Sequence, residues 1–431
     1  MMHSGRRYLL RFSAVLLLCG GGLFISYLVK GDFSKMMWSD TDGYHQYLTA
    51  VFIHHDIKNQ PYAYYLPDGT PFNRYHYGVA LMQLPVYAAG FLYAKLSGTP
   101  LTGQSALNGL IVTISSIIWV MIGLILLFRS LKRHFAAATA RITVLLLFLG
   151  TNLFYYTLME PGLSHSVSFF LISWLVYRTP IFLNRPDTKN TLLCAIPLGL
   201  SILVRPTHLV ASLVVVLYGV GSFRDLVARL QLLTGNWRTP LLFTVPVLLL
   251  YLPQCWYWHI TTGKWLVYAY NYSYTDNETF RYLSSPKLWK VMSGVESGWL
   301  IYSPLMFLSI AGMLLAFIRK AVFRWSVLIP FLLVWYLNAS WWLYTFACGF
   351  GYRILVDYYA LLALTFGLSV QWFREIRYMR VAGLLAAALL VFINIRMSLF
   401  YQASPCWMAP NWEWKDLAMV LRMIFGMSSW H

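Results

Sequence analysis

The sequence predicts an all-α membrane protein that crosses the bilayer many times. Of its 431 residues, 59% are hydrophobic and only 11% are charged, whereas soluble domains contain about 25% charged residues. The apolar residues also form runs of about 20 residues, which is the length that a helix needs to cross a hydrocarbon core. These two observations predict one domain, residues 1–431, built as a bundle of about eleven transmembrane helices.

The first predicted span, residues 10–29, follows a basic N-terminus. Arg6, Arg7 and Arg11 precede an apolar run that extends from about Phe12 to Val29. This run is too long for the apolar part of a signal peptide, and it lacks a small-x-small cleavage site. We therefore expect a membrane helix whose N-terminal end lies in the cytoplasm.

Basic loops orient the remaining spans. Every loop predicted to be cytoplasmic is rich in Arg and Lys, and the acids in these loops are Asp187, Asp225 and Glu375. This bias is typical of cytoplasmic loops, so the net charge of +18 predicts a membrane topology and no nucleic-acid partner. The further predicted spans are 104–128, 141–157, 163–178, 191–205, 207–223, 240–259, 299–318, 325–343, 355–373 and 381–399.

Residues 78–96 are also apolar, but we interpret them as a re-entrant or surface-lying helix on the external side. They contain Pro85 and Lys95, and a span here would place the basic cluster that follows outside the cell, against the charge rule. The apolar residues of 44–57 recur at helical spacing. Both segments are therefore predicted to be amphipathic helices of a first external loop, residues 30–103.

Two further segments are predicted to be external, a loop at 260–298 and the C-terminal tail at 400–431. Both are rich in Tyr and Trp, which favours an aromatic belt at the membrane interface over stacking on sugars or headgroups. Cys348 and Cys406 are predicted to lie on this side. A disulfide between them is the alternative to two unpaired cysteines that pack as small apolar residues.

Two acids, Asp40 and Asp42, lie just beyond the first predicted span. A carboxylate next to hydrocarbon is costly and indicates a functional site. If the backbone is helical here, Asp40 and Tyr44 share a face and Asp42 points elsewhere, whereas an extended backbone points both acids the same way. One acid is suited to accept a proton from an attacking hydroxyl or amine. The alternative is that Ser39 and Asp40 cap a helix, and both interpretations stay open.

Six segments stand in order along the chain: DTDGYHQYL at 40–48, RYHYGVALMQLPVY at 74–87, LMEPGLSHSVSFF at 158–170, VRP at 204–206, SGWLIYSPL at 297–305 and WWLYTFACGFGYRILVDYYALL at 341–362. This ordered set resembles the GT-C superfamily of membrane glycosyltransferases. The branch is that of the bacterial protein O-mannosyltransferases and aminoarabinose transferases. In these relatives two acids are adjacent where this chain has DTDGYHQYL, so Asp40 and Asp42 both stay candidates, and Tyr75-His76 replace an expected lysine.

The resemblance implies a GT-C-like fold and a transferase that moves a sugar from a polyprenyl-phosphate donor to an acceptor at the external face. Asp40 is the first candidate for the base, with Asp42 as the alternate base or the acid that positions the acceptor. Arg353 is the candidate clamp for the donor phosphate, and Arg205 and Lys264 are secondary candidates. The candidates for acceptor contact or support are Tyr44, Glu160, His165, Tyr352 and Asp357.

The resembled superfamily includes metal-dependent and metal-independent members, so a bound divalent metal stays open. His54 and His55 are adjacent, without the spacing to a further ligand that a helical metal site needs. The expected partners are the lipid-linked donor, an acceptor glycan, lipid or protein, and membrane lipids. The alternative function is a transporter or flippase of a lipid-linked or small polar substrate, although the sequence shows no repeated halves. A scaffolding membrane protein is the third interpretation.

The compartment follows from the resemblance. The chain has N-x-[ST] sequons at Asn271, Asn277 and Asn338 but no segment that resembles an endoplasmic-reticulum retention tail. The segments above are closest to bacterial members. We therefore predict a multi-pass protein of a bacterial inner membrane with its N-terminus in the cytoplasm and its active face in the periplasm.

Overall fold

The chain folds almost entirely into helices, as a computed structural model shows for residues 17–58, 60, 64–66, 68–272, 278–346, 349–403 and 412–427. It is 74% helical. Within these ranges the strands are limited to one antiparallel pair, β1 (Tyr64–Tyr65) and β2 (Pro71–Phe72), in which Tyr64 lies opposite Phe72. The predicted all-α class is confirmed.

The helices follow the predicted apolar runs. Short 3-10 turns lie at Phe33–Met36, Pro206–Ala211, Ala269–Tyr272, Pro304–Met306 and Arg353–Tyr358. The α-helices are α1 (Leu17–Lys30), α2 (Asp40–Phe52), α3 (Gly78–Ser97), α4 (Ala106–Leu131), α5 (Ala137–Leu149), α6 (Leu153–Leu158), α7 (Ser164–Asn184), α8 (Thr188–Val204), α9 (Ser212–Leu217), α10 (Phe223–Thr234), α11 (Arg238–Thr262), α12 (Leu288–Ser293), α13 (Trp299–Tyr302), α14 (Phe307–Ile318), α15 (Arg324–Ala339), α16 (Tyr359–Glu375), α17 (Arg377–Ala403) and α18 (Trp414–Ile424).

Six of the described helical segments are long and apolar enough to cross a membrane. Other apolar helices, including α1, α5, α8, α14 and α15, are shorter. The chain therefore has the helices of a membrane protein, while the number of spans stays a prediction. The six segments are Gly78–Ser97, Ala106–Leu131, Ser164–Asn184, Arg238–Thr262, Arg353–Glu375 and Arg377–Gln402.

The loops predicted to be cytoplasmic meet one another at one end of the bundle. The Arg319 guanidinium forms an ion pair with Glu375 at 2.9 Å, and the Gly219 amide donates to the Val322 carbonyl at 2.8 Å. These contacts join loops that are far apart in sequence. Their grouping agrees with the basic-loop pattern that oriented the spans.

The segments predicted to be external meet at the opposite end. The Thr41 hydroxyl donates to the Pro161 carbonyl at 3.2 Å, and the Tyr47 hydroxyl donates to the Tyr75 carbonyl at 2.7 Å. Helix α4, about 40 Å long at 1.5 Å per residue, separates this end from the other. The polar residues singled out in the sequence gather at this end.

Helix α16 lies at the centre of the bundle. Its residues from Tyr359 to Val370 are all buried, and α14 approaches it closely at Gly312, where a Cβ would lie 1.9 Å from the Thr365 carbonyl oxygen. The Ser309 hydroxyl of α14 also donates to the Leu362 carbonyl at 2.9 Å. Small residues at such contacts are typical of membrane helix pairs. The turn before α16 is therefore held in the middle of the bundle.

Helix α2 differs from its prediction in extent and in burial. It begins at Asp40 and ends at Phe52, whereas the helical spacing was predicted over 44–57, and its residues from Thr41 to Ala50 are all buried. The polar members of this stretch are paired inside the protein, and His45 Nδ1 lies 2.8 Å from Gln83 Oε1. Sequence periodicity did not reveal this burial because α2 is covered by elements distant in the chain.

Candidate functional site

Asp40 opens the first turn of α2 from a strained connection. Ser39, the residue before it, has φ 54 and ψ −134, a backbone region that is costly for a residue with a side chain. Ser39 makes no side-chain capping bond, so the predicted capping role is not seen. An acid in the first turn is favoured by the helix dipole, and here the turn aims Asp40 into the bundle.

The Asp40 carboxylate has two partners. Its Oδ1 accepts a hydrogen bond from the Tyr75 hydroxyl at 2.6 Å, and its Oδ2 lies 3.5 Å from Arg353 Nη2. Its side chain is 19% exposed. Burial by itself raises the pKa of Asp40, but the positive charge of Arg353 and the Tyr75 hydrogen bond outweigh it and leave the pKa below its ordinary value. Asp40 is therefore ionised at neutral pH.

Tyr75 reaches Asp40 because residue 43 is glycine. A Cβ on Gly43 would lie 2.2 Å from the Tyr75 ring. The Tyr44 ring packs against the Tyr75 ring with centroids 4.7 Å apart, and the Tyr75 amide donates to Asn73 Oδ1 at 2.9 Å. Sequence reasoning did not single out Tyr75 as a site residue. The feature that could have indicated it is the glycine of DTDGY, because a helical residue without a side chain leaves space for an aromatic ring.

Asp42 points away from the positive charges. Its Oδ2 accepts a hydrogen bond from Gln104 Nε2 at 2.8 Å, and the residue is 8% exposed. Burial raises the pKa of Asp42, opposed only by that hydrogen bond. The backbone is helical, so Asp40 and Tyr44 share a face and Asp42 lies on another, as the helical alternative predicted.

Arg353 is incompletely paired. Its one ion pair with Asp40 is long, and its buried Nε has no hydrogen-bond partner among the described residues. A guanidinium has five N–H donors in a fixed plane. The unused donors are therefore available to an anionic group.

Glu160 is the second acid near Arg353. It lies in the connection between α6 and α7, is 3% exposed, and its Oε2 has no partner within the described part of the chain. Burial raises the pKa of Glu160 to about 7, although the positive charges of Arg353 and Lys30 oppose the shift. Glu160 is thus near the midpoint of its titration at neutral pH.

Asp357 lies at the centre of a buried polar cluster. It is fully buried, its Oδ1 lies 2.8 Å from His165 Nδ1, and its Oδ2 lies 3.0 Å from His208 Nε2. Arg205 Nε lies 3.7 Å from the same Oδ2 and donates to the Ser164 hydroxyl at 2.7 Å. Sequence reasoning missed His208, whose signal is its position three residues after Arg205 in a turn that begins with proline.

The remaining candidates lie apart or are simply packed. Lys264 is exposed after the left-handed Gly263 at the end of α11 and forms no ion pair with a described residue. Tyr352 is buried, and its hydroxyl has no partner among the residues described. Cys348 and Cys406, and with them the predicted disulfide, lie outside the described residues.

A metal site is not apparent in the described ranges, where no three His, Cys, Asp or Glu side chains are grouped so as to hold an ion. His54 and His55 are both exposed. Asp357 with its two histidines is instead an internally paired cluster. The arrangement as a whole combines the ionised Asp40 carboxylate with the guanidinium groups of Arg353 and Arg205.

Neither a family model nor a curated protein matches the chain. The described geometry consists of the ionised Asp40 carboxylate, the Arg353 guanidinium 3.5 Å from it, and the positive charge of Arg205 acting on the same carboxylate.

Proposed function

We propose that the chain is a GT-C-type glycosyltransferase that moves a sugar from a polyprenyl-phosphate donor to an acceptor. The observation that carries the proposal is the incomplete pairing of Arg353. Its guanidinium lies 3.5 Å from Asp40, it interacts electrostatically with Glu160, and its Nε has no hydrogen-bond partner among the described residues. An ionised carboxylate next to an incompletely paired guanidinium suits a reaction with an anionic leaving group and a hydroxyl nucleophile.

Arg353 and Arg205 bind the donor phosphate in this proposal. Arg205 is held by its Nε through Ser164 and Asp357, which leaves its Nη atoms as the donors for a ligand. Arginine binds phosphate through paired N–H donors. The two positive charges stabilise the phosphate as negative charge develops on it in the transition state.

Asp40 is the base. Its ion pair with Arg353 lowers its basicity in the empty site, because the pKa of Asp40 is held below its ordinary value. When a phosphate takes up the Arg353 donors, that charge is balanced by the ligand and the carboxylate becomes a better proton acceptor. Donor binding thus activates the base, and an empty site stays unreactive.

The reaction is a displacement at the anomeric carbon. A bond forms between that carbon and the acceptor oxygen, while the bond between the carbon and the phosphate oxygen breaks. The acceptor proton passes to Asp40, and the electron pair of the broken bond stays on the polyprenyl phosphate. Tyr75 and Tyr44 hold Asp40 in place through the hydrogen bond and ring contact described above.

The proposal includes the compartment and the span number that the sequence predicts. The basic loops grouped at one end of the bundle support a cytoplasmic end, and the polar site at the other end supports an active face on the periplasmic side of a bacterial inner membrane. The eleven-span topology, with α3 on the external side, places every site residue at that face.

The test uses the purified full-length protein in nanodiscs. The protein is mixed with a panel of polyprenyl-phosphate sugars and with glycan, lipid and peptide acceptors, and mass spectrometry detects released polyprenyl phosphate and glycosylated acceptor. Transfer by the wild type that is lost in Asp40→Asn supports the proposal. No transfer with any donor, together with substrate flux in proteoliposomes, overturns it in favour of a transporter or flippase.

A further inference from the structure

The buried ring of His208 has acceptors at both nitrogens. Its Nδ1 lies 3.1 Å from the Ser201 carbonyl oxygen, and its Nε2 lies 3.0 Å from Asp357 Oδ2. A carbonyl oxygen accepts and cannot donate, and an ionised carboxylate likewise only accepts. A neutral imidazole carries one N–H, so it satisfies one of these contacts and leaves two lone pairs facing each other in the other. A proton on each ring nitrogen satisfies both contacts.

Placing that proton on Asp357 would also satisfy the contacts, but the neighbours of the carboxyl group oppose it. Asp357 Oδ1 faces His165 Nδ1, and Asp357 Oδ2 also lies 3.7 Å from Arg205 Nε. An N–H donor and a guanidinium both stabilise the anionic carboxylate. The proton therefore belongs on His208, and Asp357 and His208 form an ion pair.

His165 takes the other role. Its Nδ1 donates to Asp357, and its buried Nε2 has no partner in the described structure. This nitrogen therefore requires no second proton, and His165 is the neutral member of the cluster. The two histidines around one carboxylate are thus different in charge.

The ion pair joins the elements that carry both arginines. Asp357 lies in the turn Arg353–Tyr358 and His208 in the turn Pro206–Ala211 that directly follows Arg205. The Tyr358 ring packs edge-on against the His208 ring with centroids 5.5 Å apart. Loss of the pair would therefore free Arg205 and Arg353 to move relative to each other.

We propose that Asp357 and a doubly protonated His208 form a buried ion pair that positions Arg205 and Arg353 for the phosphate of the donor. Both are positioning residues, since neither has to touch the substrate. The charge state of His208 stands on hydrogen-bond geometry alone, whereas the effect on the donor rests on the proposed function.

The first experiment measures protonation without any substrate. The protein is labelled with ¹⁵N-histidine in nanodiscs, and the signals of His208 are assigned as those that His208→Gln removes. At about pH 8, above the ordinary titration range of histidine, both ring nitrogens of His208 are expected to carry protons. A signal pair from one protonated and one bare nitrogen would overturn the ion pair.

The second experiment separates positioning from folding. In Asp357→Asn the KM for the donor is expected to rise about tenfold or more, since the neutral amide holds Arg205 less firmly, and kcat to change less. His208→Gln is also expected to raise the donor KM, by severalfold. If Asp357→Asn does not fold, the measurement on His208→Gln tests the proposal. His134→Gln, at a partly buried histidine at the opposite end of the bundle, is the matched control and should leave the donor KM unchanged.

Equal losses of thermal stability with an unchanged donor KM in Asp357→Asn and His208→Gln would show that the pair only supports the fold. If the wild type transfers no sugar, the proposed function fails, while the ¹⁵N measurement still decides the charge state of His208.

Discussion

The two faces of the first turn of α2 carry the same functional group in opposite surroundings. On one face Asp40 meets the Arg353 guanidinium and the Tyr75 hydroxyl. On the other face Asp42 accepts a hydrogen bond from the neutral amide of Gln104. The pKa of Asp40 is lowered and the pKa of Asp42 is raised, although burial raises both.

The position of an acid in the sequence therefore does not determine its pKa or its function. Both acids lie in the same motif, next to the same predicted membrane border. What separates them is the charge contributed by Arg353, more than 300 residues later in the chain. If that charge also separates their functions, substitutions of Asp40 and Asp42 will have unequal effects on sugar transfer.

The largest expected effect is on Asp40 itself. Asp40→Asn should lower the transfer rate about a thousandfold, because a general base contributes on this order, whereas Asp42→Asn should cost less than about tenfold. Release of polyprenyl phosphate, followed by mass spectrometry, gives both rates. Equal losses of transfer rate in Asp40→Asn and Asp42→Asn would show that the two acids do not differ in function.

The next effect concerns the charge that separates the faces. Arg353→Ala should raise the donor KM between about ten- and a hundredfold, the worth of a charged hydrogen bond, and Arg353→Lys should recover part of the loss because a point charge replaces the planar fork. Lys264→Ala is the control, since its side chain is exposed and unpaired with a described acid. If Lys264→Ala raised the donor KM and Arg353→Ala did not, the donor phosphate would be assigned to Lys264 instead of Arg353.

A smaller effect is expected from the packing that holds Tyr75 on Asp40. Gly43→Ala forces the Tyr75 ring to move, because the new Cβ would lie 2.2 Å from it, and should lower transfer about tenfold through loss of the hydrogen bond. Gly21→Ala, on α1 with nothing within 4 Å of its Cβ, is the matched control and should be neutral or stabilising. Tyr75→Phe should reproduce the Gly43→Ala defect; full activity in Tyr75→Phe would show that the hydroxyl is dispensable.

The smallest expected effect is on stability, and it concerns Glu160, the second acid that interacts with Arg353. The pKa of Glu160 is raised by burial to about 7, so the folded state holds a proton that the unfolded state has already lost above about pH 4.3. Stability from this group is therefore greatest at low pH and falls as pH rises toward 7, by up to about 3 kcal/mol.

Glu160→Gln removes this dependence. The Tm of the variant, measured from pH 5 to pH 8 in nanodiscs, should fall less with rising pH than the Tm of the wild type. Glu413→Gln, at an exposed residue, should keep the slope of the wild type. An unchanged slope in Glu160→Gln would show that Glu160 is solvated in the folded protein.

Much of the fold was predictable because it depends on composition and local periodicity. The apolar runs became helices, and a helical backbone at Asp40 put Tyr44 and Asp40 on one face as expected. The burial of α2 was not predictable, because its polar residues are paired by segments such as Gln83 and Gln104 that are remote in sequence.

The candidate site divides in the same way. Asp40, Arg353, Arg205 and Asp357 were singled out from residue type and motif, and the structure places them at one end of the bundle. Tyr75 and His208 were not, since their roles follow from a hydrogen bond to a partner on another element. Lys264 was singled out on charge alone; it is exposed and forms no ion pair with a described residue, so its role stays a prediction.

By itself the sequence determined an all-helical chain of apolar segments with basic loops and a few acids and arginines at their borders, because hydrophobic length and charge act locally along a helix. Only the tertiary structure decided that Asp40 faces Arg353, that Asp42 does not, and that Asp357 is enclosed by two histidines. Those relations depend on which helix ends meet, and electrostatic energy depends on distance in space and on burial.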